Sequence, residues 1–197
     1  SRATLTKFSN LPSQWVLPRG EVTQFAIQLD GDSKFKPQHA FIKDDRELSI
    51  EAEEGGGIYE FEIPGLFNTH IAQLNAGDFQ REIILRPVDR PQIKSLEVKA
   101  FFPSYLGIEP DLLGPINNTF SYPFGTKLQI EGSVSRNLSS MNAVLANDRL
   151  DSAINKSFFS IQVPALESKE SLSLELIDCF NLSTRNPEKL RLNPIEE

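Results

Sequence analysis

The 197-residue sequence has one cysteine, one tryptophan, one methionine and two histidines. A single thiol, Cys179, excludes an intrachain disulfide and the small secreted folds that depend on several, while leaving an extracytoplasmic location in bacteria open. Beside Asp178 and Phe180 at a strand end, Cys179 reads as a small buried hydrophobe rather than a reactive thiol. Two histidines and one cysteine do not supply the ligands of a structural zinc site. No apolar run approaches the roughly 20 residues of a bilayer-spanning helix. The opening Ser1-Arg2-Ala3-Thr4 lacks the basic-then-apolar pattern of a leader. The chain also begins without Met, so we expect a piece of a longer protein, with any anchor or targeting signal outside it. At a net charge of −7 with both signs intermixed, there is no broad positive field for nucleic acid or an anionic membrane. No G-x-S-x-G elbow occurs, and no motif ties a nucleophile to an acid and a base. The expectation is a non-enzyme with no cofactor, no metal and no catalytic residues.

What is present is period-two alternation. Phe25, Ile27 and Leu29 fall on one face of Gln24–Leu29, and Tyr59, Phe61 and Ile63 alternate with Glu60 and Glu62. Leu96–Ala100, Leu128–Glu131 and Leu172–Leu176 repeat the pattern, the mark of strands with one buried and one wet face. Two stretches, Asp44–Glu47 and Ser139–Ala146, are too short or too mixed to assign. Turn signals recur at Asp30-Gly31-Asp32, Gly55-Gly56-Gly57, Ala76-Gly77-Asp78 and Asn147-Asp148. Short strands punctuated about every ten residues, with apolar content of 39%, point to all-β sandwiches.

The pattern is written twice. Leu17-Pro18-Arg19-Gly20 leads into one strand and Tyr122-Pro123-Phe124-Gly125 into another. Tyr59 to Leu66 aligns with Phe159 to Leu166, and Leu74 and Asp78 align with Leu174 and Asp178. Each copy has the size of an immunoglobulin-like domain, about 100 residues. We therefore expect two Ig-like β-sandwiches, residues 1–89 and 90–197, joined at Asp89-Arg90-Pro91-Gln92. The proline makes this linker short and stiff, so the two sandwiches should lie end to end with limited bending.

Ala76-Gly77-Asp78, an apolar strand, Arg90-Pro91-Gln92-Ile93, then Pro103-Ser104-Tyr105-Leu106-Gly107 and the strand Gly125–Gly132 together resemble tandem Ig-like repeats of large bacterial cell-envelope proteins of unknown function. The later Leu176-Ile177-Asp178, Asn181-Leu182 and Pro187 resemble the close of such a repeat, with Asn181 where those repeats carry a turn glycine. Ala72 and Gln73 stand where an aromatic usually precedes the first turn. The resemblance covers both halves, residues 76–194 most fully. It implies an extracytoplasmic ectodomain fragment, in the periplasm or at the cell surface, attached to a membrane only through segments outside this chain.

Several features have a functional and a structural reading. Asp30-Gly31-Asp32-Ser33 and Asp44-Asp45-Arg46-Glu47 could attract calcium but read better as solvated turns, and Asp89 alone is too little for an interdomain ion. Four N-x-S/T triplets begin at Asn117, Asn137, Asn155 and Asn181, and the resemblance to bacterial repeats makes chance the better account of them. A sugar-binding surface would use exposed aromatics. Trp15, Tyr105 and Tyr122 are the candidate ligand or partner contacts, with packing the favoured reading and Trp15 reading better as a cap on the first core, while Tyr59 belongs to the core. Phe101–Gly114, with Pro103, Pro110, Gly107 and Gly114, reads as a crossover between sheets. Its Phe101, Phe102, Tyr105, Leu106, Leu112 and Leu113 should plug one end of the core. The function expected is a structural or interaction module that engages a protein partner or the rest of its own parent chain. The alternative is a carbohydrate-binding accessory module.

Overall fold

The structure, a computed structural model, describes residues 5–115 and 119–196. The chain divides into two compact units, Ser1–Asp89 and Arg90–Glu197. Unit 1 contains β1 (Phe8–Ser9), β2 (Gln14–Pro18), β3 (Thr23–Leu29), β4 (His39–Lys43), β5 (Ser49–Gly55), β6 (Ile58–Ile63), β7 (His70–Ala76) and β8 (Phe79–Val88). They pair in the order β1-β3-β6-β5-β4-β7-β8-β2. The ribbon folds at β5, whose first part pairs with β4 while Glu54 and Gly55 pair with β6. Ile27, Tyr59 and Phe61 from one layer meet Ile42, Leu74, Ile83 and Leu85 from the other in a single core. The alternation in the sequence is this geometry: in β6 the residues Tyr59, Phe61 and Ile63 are buried and their neighbours exposed.

Unit 2 contains β9 (Ile93–Phe101), β10 (Asp111–Leu113), β11 (Thr119–Pro123), β12 (Lys127–Val134), β13 (Leu138–Leu145), β14 (Asp148–Leu150), β15 (Ser152–Asn155), β16 (Phe158–Val163), β17 (Glu170–Asp178) and β18 (Glu188–Ile195). Two five-stranded sheets, β10-β9-β12-β16-β15 and β11-β18-β17-β13-β14, close over one core. Each unit is thus an Ig-like β-sandwich, and the fold is all-β.

The repeat is visible in hydrogen bonds. After Pro18, Arg19 N–H donates to Val88 O at 2.8 Å; after Pro123, Phe124 N–H donates to Ile195 O at 3.0 Å. Gly20 and Gly125 both take positive φ, +69° and +79°, which the turn out of each strand requires. Lys7 O accepts from Asp30 N, and its counterpart Gln92 O accepts from Ser135 N. The turn between β7 and β8 in unit 1, Gly77-Asp78, is replaced in unit 2 by Cys179–Pro187 between β17 and β18. That insertion moves the offset of the final strands from 100 to 107.

Three expectations need correction. The 101–114 segment does not itself cross between the sheets of unit 2, since it leaves β9 and returns as β10 of the same sheet, and it is a poor plug. Phe102 and Leu113 pack on the core, Leu106 is half-buried, and Phe101, Tyr105 and Leu112 are exposed. The reason is β10, which turns back to pair with β9 and holds the segment on the sheet surface. Cys179 is exposed, because Leu174, Leu176 and Asp178 hold the inward phase of β17 and the next residue faces out. Ser139–Ala146 lies largely within a strand: a register shift between Leu138 and Ser140 lets both Leu138 and Met141 face inward, which blurred the alternation. Asn181, at the expected glycine position, has φ +63°, a left-handed conformation that Asn tolerates. Asn117 and Asn118 of the first N-x-S/T triplet, like Ser1–Thr4, lie outside the described residues.

Candidate functional site

The feature common to both units is a parallel pairing onto the last strand. Among the described residues all ladders are antiparallel except two: β2 with β8, and β11 with β18. In unit 1 the register runs from Gln14 opposite Ile84 to Pro18 opposite Val88, and in unit 2 from Thr119 opposite Arg191 to Pro123 opposite Ile195. Trp15 faces Leu85 where Phe120 faces Leu192, and all four are buried. Leu17 faces Pro87 where Tyr122 faces Pro194. Each ladder thus ends with one proline per strand, where the missing donors let pairing stop. The matched pair Pro87 and Pro194 was legible at an offset of 107 but hidden by the insertion before it.

In a parallel pair the start of the first strand and the end of the last lie at opposite ends. Tension applied between them slides one strand along the other and loads the rungs together. An antiparallel hairpin pulled at its open end breaks rung by rung. Each parallel ladder therefore has a shear geometry between the two strands it joins.

The segment leading into each unit is fastened as well. In unit 1 the Asp78 carboxylate accepts from the Leu5 and Thr6 amides and from the Thr6 hydroxyl, the last at 2.6 Å. These bonds, the Thr6 hydroxyl first, hold the Asp78 carboxyl below its ordinary range. In unit 2 the Arg90 guanidinium donates to Ser183 O at 2.9 Å. Asp178, at the position equivalent to Asp78, is fully buried and instead organises its own loop. Its Oδ1 accepts from Phe180 and Leu182 N–H, both at 2.9 Å, and Arg136 Nε stands 3.6 Å from Oδ2.

The two histidines open β4 and β7. His39 Nδ1 lies 2.9 Å from a Glu51 carboxylate oxygen. His70 Nδ1 lies 2.6 Å from Asp44 Oδ2, while Asp44 Oδ1 accepts from the amides of Arg46, Glu47 and Leu48. The His70 bond and then these amides push the Asp44 carboxyl far down. A depressed folded-state value means that its stabilisation is complete above the ordinary carboxylate range and is lost as pH falls toward the folded-state value. This pair ties the turn after β4 to the start of β7. It is a carboxylate–imidazole couple, and no serine or cysteine is bonded to it. The Asp30 carboxylate similarly accepts from Asp32 N–H and closes its own turn. Among the described residues no group of three His, Cys, Asp or Glu is placed to hold a metal ion, and no helix is long and apolar enough to cross a membrane.

Of the three aromatic candidates, two lie in the cores. Trp15 is 1% exposed, stacked on Phe25 with centroids 4.5 Å apart, and its indole N–H reaches Pro12 O. Tyr122 is 2% exposed. Both are packing residues, because the inward phase of β2 and β11 carries them under the opposite sheet. Tyr105, on a one-turn 3₁₀ segment (Ser104–Leu106), is 75% exposed. The structure does not bring the three together. Tyr122 carries a cost: among the described residues its buried hydroxyl has no hydrogen-bond partner, and burial pushes its pKa up to about 12. Unit 1 places Leu17 here. Tyr122→Phe should therefore leave unit 2 as stable or stabilise it by about 1 kcal/mol. Urea unfolding of the two proteins side by side checks this, and a clear loss would reveal a hidden partner for the hydroxyl.

No family model and no curated protein matches the chain. Among solved structures, it is similar to the fibronectin(III)-like modules of Clostridium thermocellum CbhA, at 11% identity and TM-score 0.49, over 97% of this chain and 94% of that one. It is also similar to the tandem Ig repeats of Dlar, at 12% identity and TM-score 0.36, over 99% and 100% of the two chains. Domains 5-6 of the S-layer protein SbsC give 8% identity and TM-score 0.30, over 96% and 99%. These likenesses concern the fold alone, which the strand order of each unit establishes independently.

Proposed function

We propose that the chain is a non-catalytic, load-bearing and interaction module, an ectodomain fragment of a larger bacterial cell-envelope protein. The observation that carries this is the parallel clamp built twice, with the same proline stops and the same closing hydrogen bond. A strand arrangement preserved to that detail in two copies suits a chain held under tension at its ends. The ionisable groups of greatest burial serve the same end: Asp44 and Asp178 close turns and tie neighbouring segments. The envelope location is supported by the resemblance of residues 76–194 to envelope repeats, with any membrane anchor in segments outside this chain. A sugar-binding role would lose Trp15 and Tyr122 to the cores and rest on Tyr105 alone.

Single-molecule stretching tests the clamp. With Cys179 replaced by Ser and handles at the chain ends, two extension steps are expected, the one from unit 2 longer by about 65 Å at about 3.5 Å per freed residue. The force should be several-fold higher than when unit 1 is pulled between Thr69 and its C-terminal end, the open end of the β7–β8 hairpin, a geometry that unzips β8 from β7. Equal forces in the two geometries would defeat the load-bearing reading.

A further inference from the structure

Two concavities, of about 420 and 400 Å³, lie on the outer face of the β10-β9-β12-β16-β15 sheet and share Glu97 and Glu131. They are two halves of one trough that crosses the strands. At about 4.8 Å per strand it spans about 19 Å. The half beside Phe158 is floored by Ser95 and Ser133, whose hydroxyls are 2.6 Å apart. Phe158, 61% exposed, stands at one end and Leu112, 59% exposed, at the other.

The centre is electrostatically unfavourable for the fold. Glu97 and Glu131 are directly opposite in the β9–β12 register, and like charges so placed destabilise a sheet. Glu131 accepts from the Gln129 amide at 2.6 Å, and among the described residues Glu97 forms no ion pair. Lys99, two positions along β9 on the same face, lies over the Phe101 ring at 5.5 Å. Unit 1 provides an internal control for whether the sandwich needs this. There Ala26, opposite Glu60, stands where Glu131 stands opposite Ser160, and β1 ends at Ser9, before any counterpart of Glu97. The same fold is built without the acid pair, over a smaller concavity of about 220 Å³ that includes Ser9, Ala26 and Gln28, so the acid pair is an addition in unit 2.

We propose that this trough is the docking site for an extended, basic segment of a protein partner. Resting on the interaction-module reading, the proposal names the surface and its complement. The uncompensated carboxylates call for a cation, and a guanidinium can engage them through paired hydrogen bonds. The apolar posts at either end call for apolar residues flanking the charge. An extended pentapeptide, at about 3.4 Å per residue, covers about 17 Å and reaches from one post to the other. Anionic segments are rejected by the same pair and by the net charge of −7.

The test is a titration of the ¹⁵N-labelled full chain at low salt with the capped peptide Leu-Arg-Ser-Arg-Leu, alongside Leu-Glu-Ser-Glu-Leu and the neutral sugar cellotetraose. Amide shifts are expected at Ser95, Glu97, Glu131, Ser133 and Phe158 with the basic peptide alone. The double variant Glu97→Gln with Glu131→Gln should weaken binding at least tenfold, and Phe158→Ala at least threefold. These side chains point outward, and retained amide dispersion reports that the variants fold; single Glu97→Gln substitutes if the double does not. No shifts at millimolar peptide overturn the proposal, as does equal binding by the glutamine variant. Shifts scattered over both units, or stronger shifts from cellotetraose, overturn it too. Such a failure leaves the stretching result untouched, so the two readings fall separately.

Discussion

Replacing Trp15 by alanine is expected to remove about 3–5 kcal/mol from unit 1, the range for deleting a large buried aromatic. The indole is the only tryptophan side chain in the protein and lies at the centre of the β2–β8 clamp. It contacts Phe25 face to face and Phe61 at 6.1 Å. A cavity of that size between two sheets cannot close, because the strands on either side are fixed by their ladders. A domain of this size has only about 5–15 kcal/mol in total. The substitution should therefore split the thermal unfolding of the chain into an early transition for unit 1 and an unshifted one for unit 2. Circular dichroism with calorimetry reads both. A loss below about 1 kcal/mol would mean that the indole is outside the core, and would restore it as a candidate sugar contact.

Much of the fold could be read from the sequence because period-two alternation is local. Tyr59, Phe61 and Ile63 announce their face without knowledge of any partner strand, and so do Leu172 and Leu174. The duplicated turns were legible for the same reason: Pro18-Arg19-Gly20 and Pro123-Phe124-Gly125 each contain the proline that ends a ladder and the glycine that turns out of it. What failed was whatever depended on position across strands. The phase of β2 buries Trp15 and that of β11 buries Tyr122, but both phases interact with prolines that make a short strand look like a loop. The exposure of Cys179 follows from Asp178 being inward, and an inward aspartate is legible only once its loop amides are in place. The Asp78–Thr6 bond joins residues 72 apart, and Asp44–His70 joins residues 26 apart. The trough is the extreme case. Glu97 and Glu131 are unremarkable outward residues of two alternating strands, and only the register puts them face to face.

Gly65→Ala is expected to cost unit 1 about 3 kcal/mol, at the upper end for forcing atoms into a filled space. The cause is a single close approach. A β-carbon on Gly65 would lie 2.5 Å from Gly20 O and 2.6 Å from Gly20 C. These are backbone atoms that no rotamer change can move. Gly20 itself is held on both sides: its amide donates to Leu66 O at 2.9 Å, and the preceding Arg19 amide donates to Val88 O. Relief therefore requires parting the turn after β2 from the loop after β6, which loosens the end of the clamp. The duplicated unit supplies the control within the same molecule. Ala165 occupies the position equivalent to Gly65 and is accommodated, so the side chain is tolerated by the fold and excluded only by the tighter loop of unit 1. Denaturant unfolding should show the unit-1 transition lowered and the unit-2 transition unchanged, with Ala165→Gly shifting unit 2 by less than about 1 kcal/mol. In the stretching experiment, the Gly65→Ala chain should keep two steps, one of them at reduced force. An unchanged unit-1 midpoint would show that the Gly20 carbonyl is free to move, and that the end of the clamp is softer than its hydrogen bonds imply.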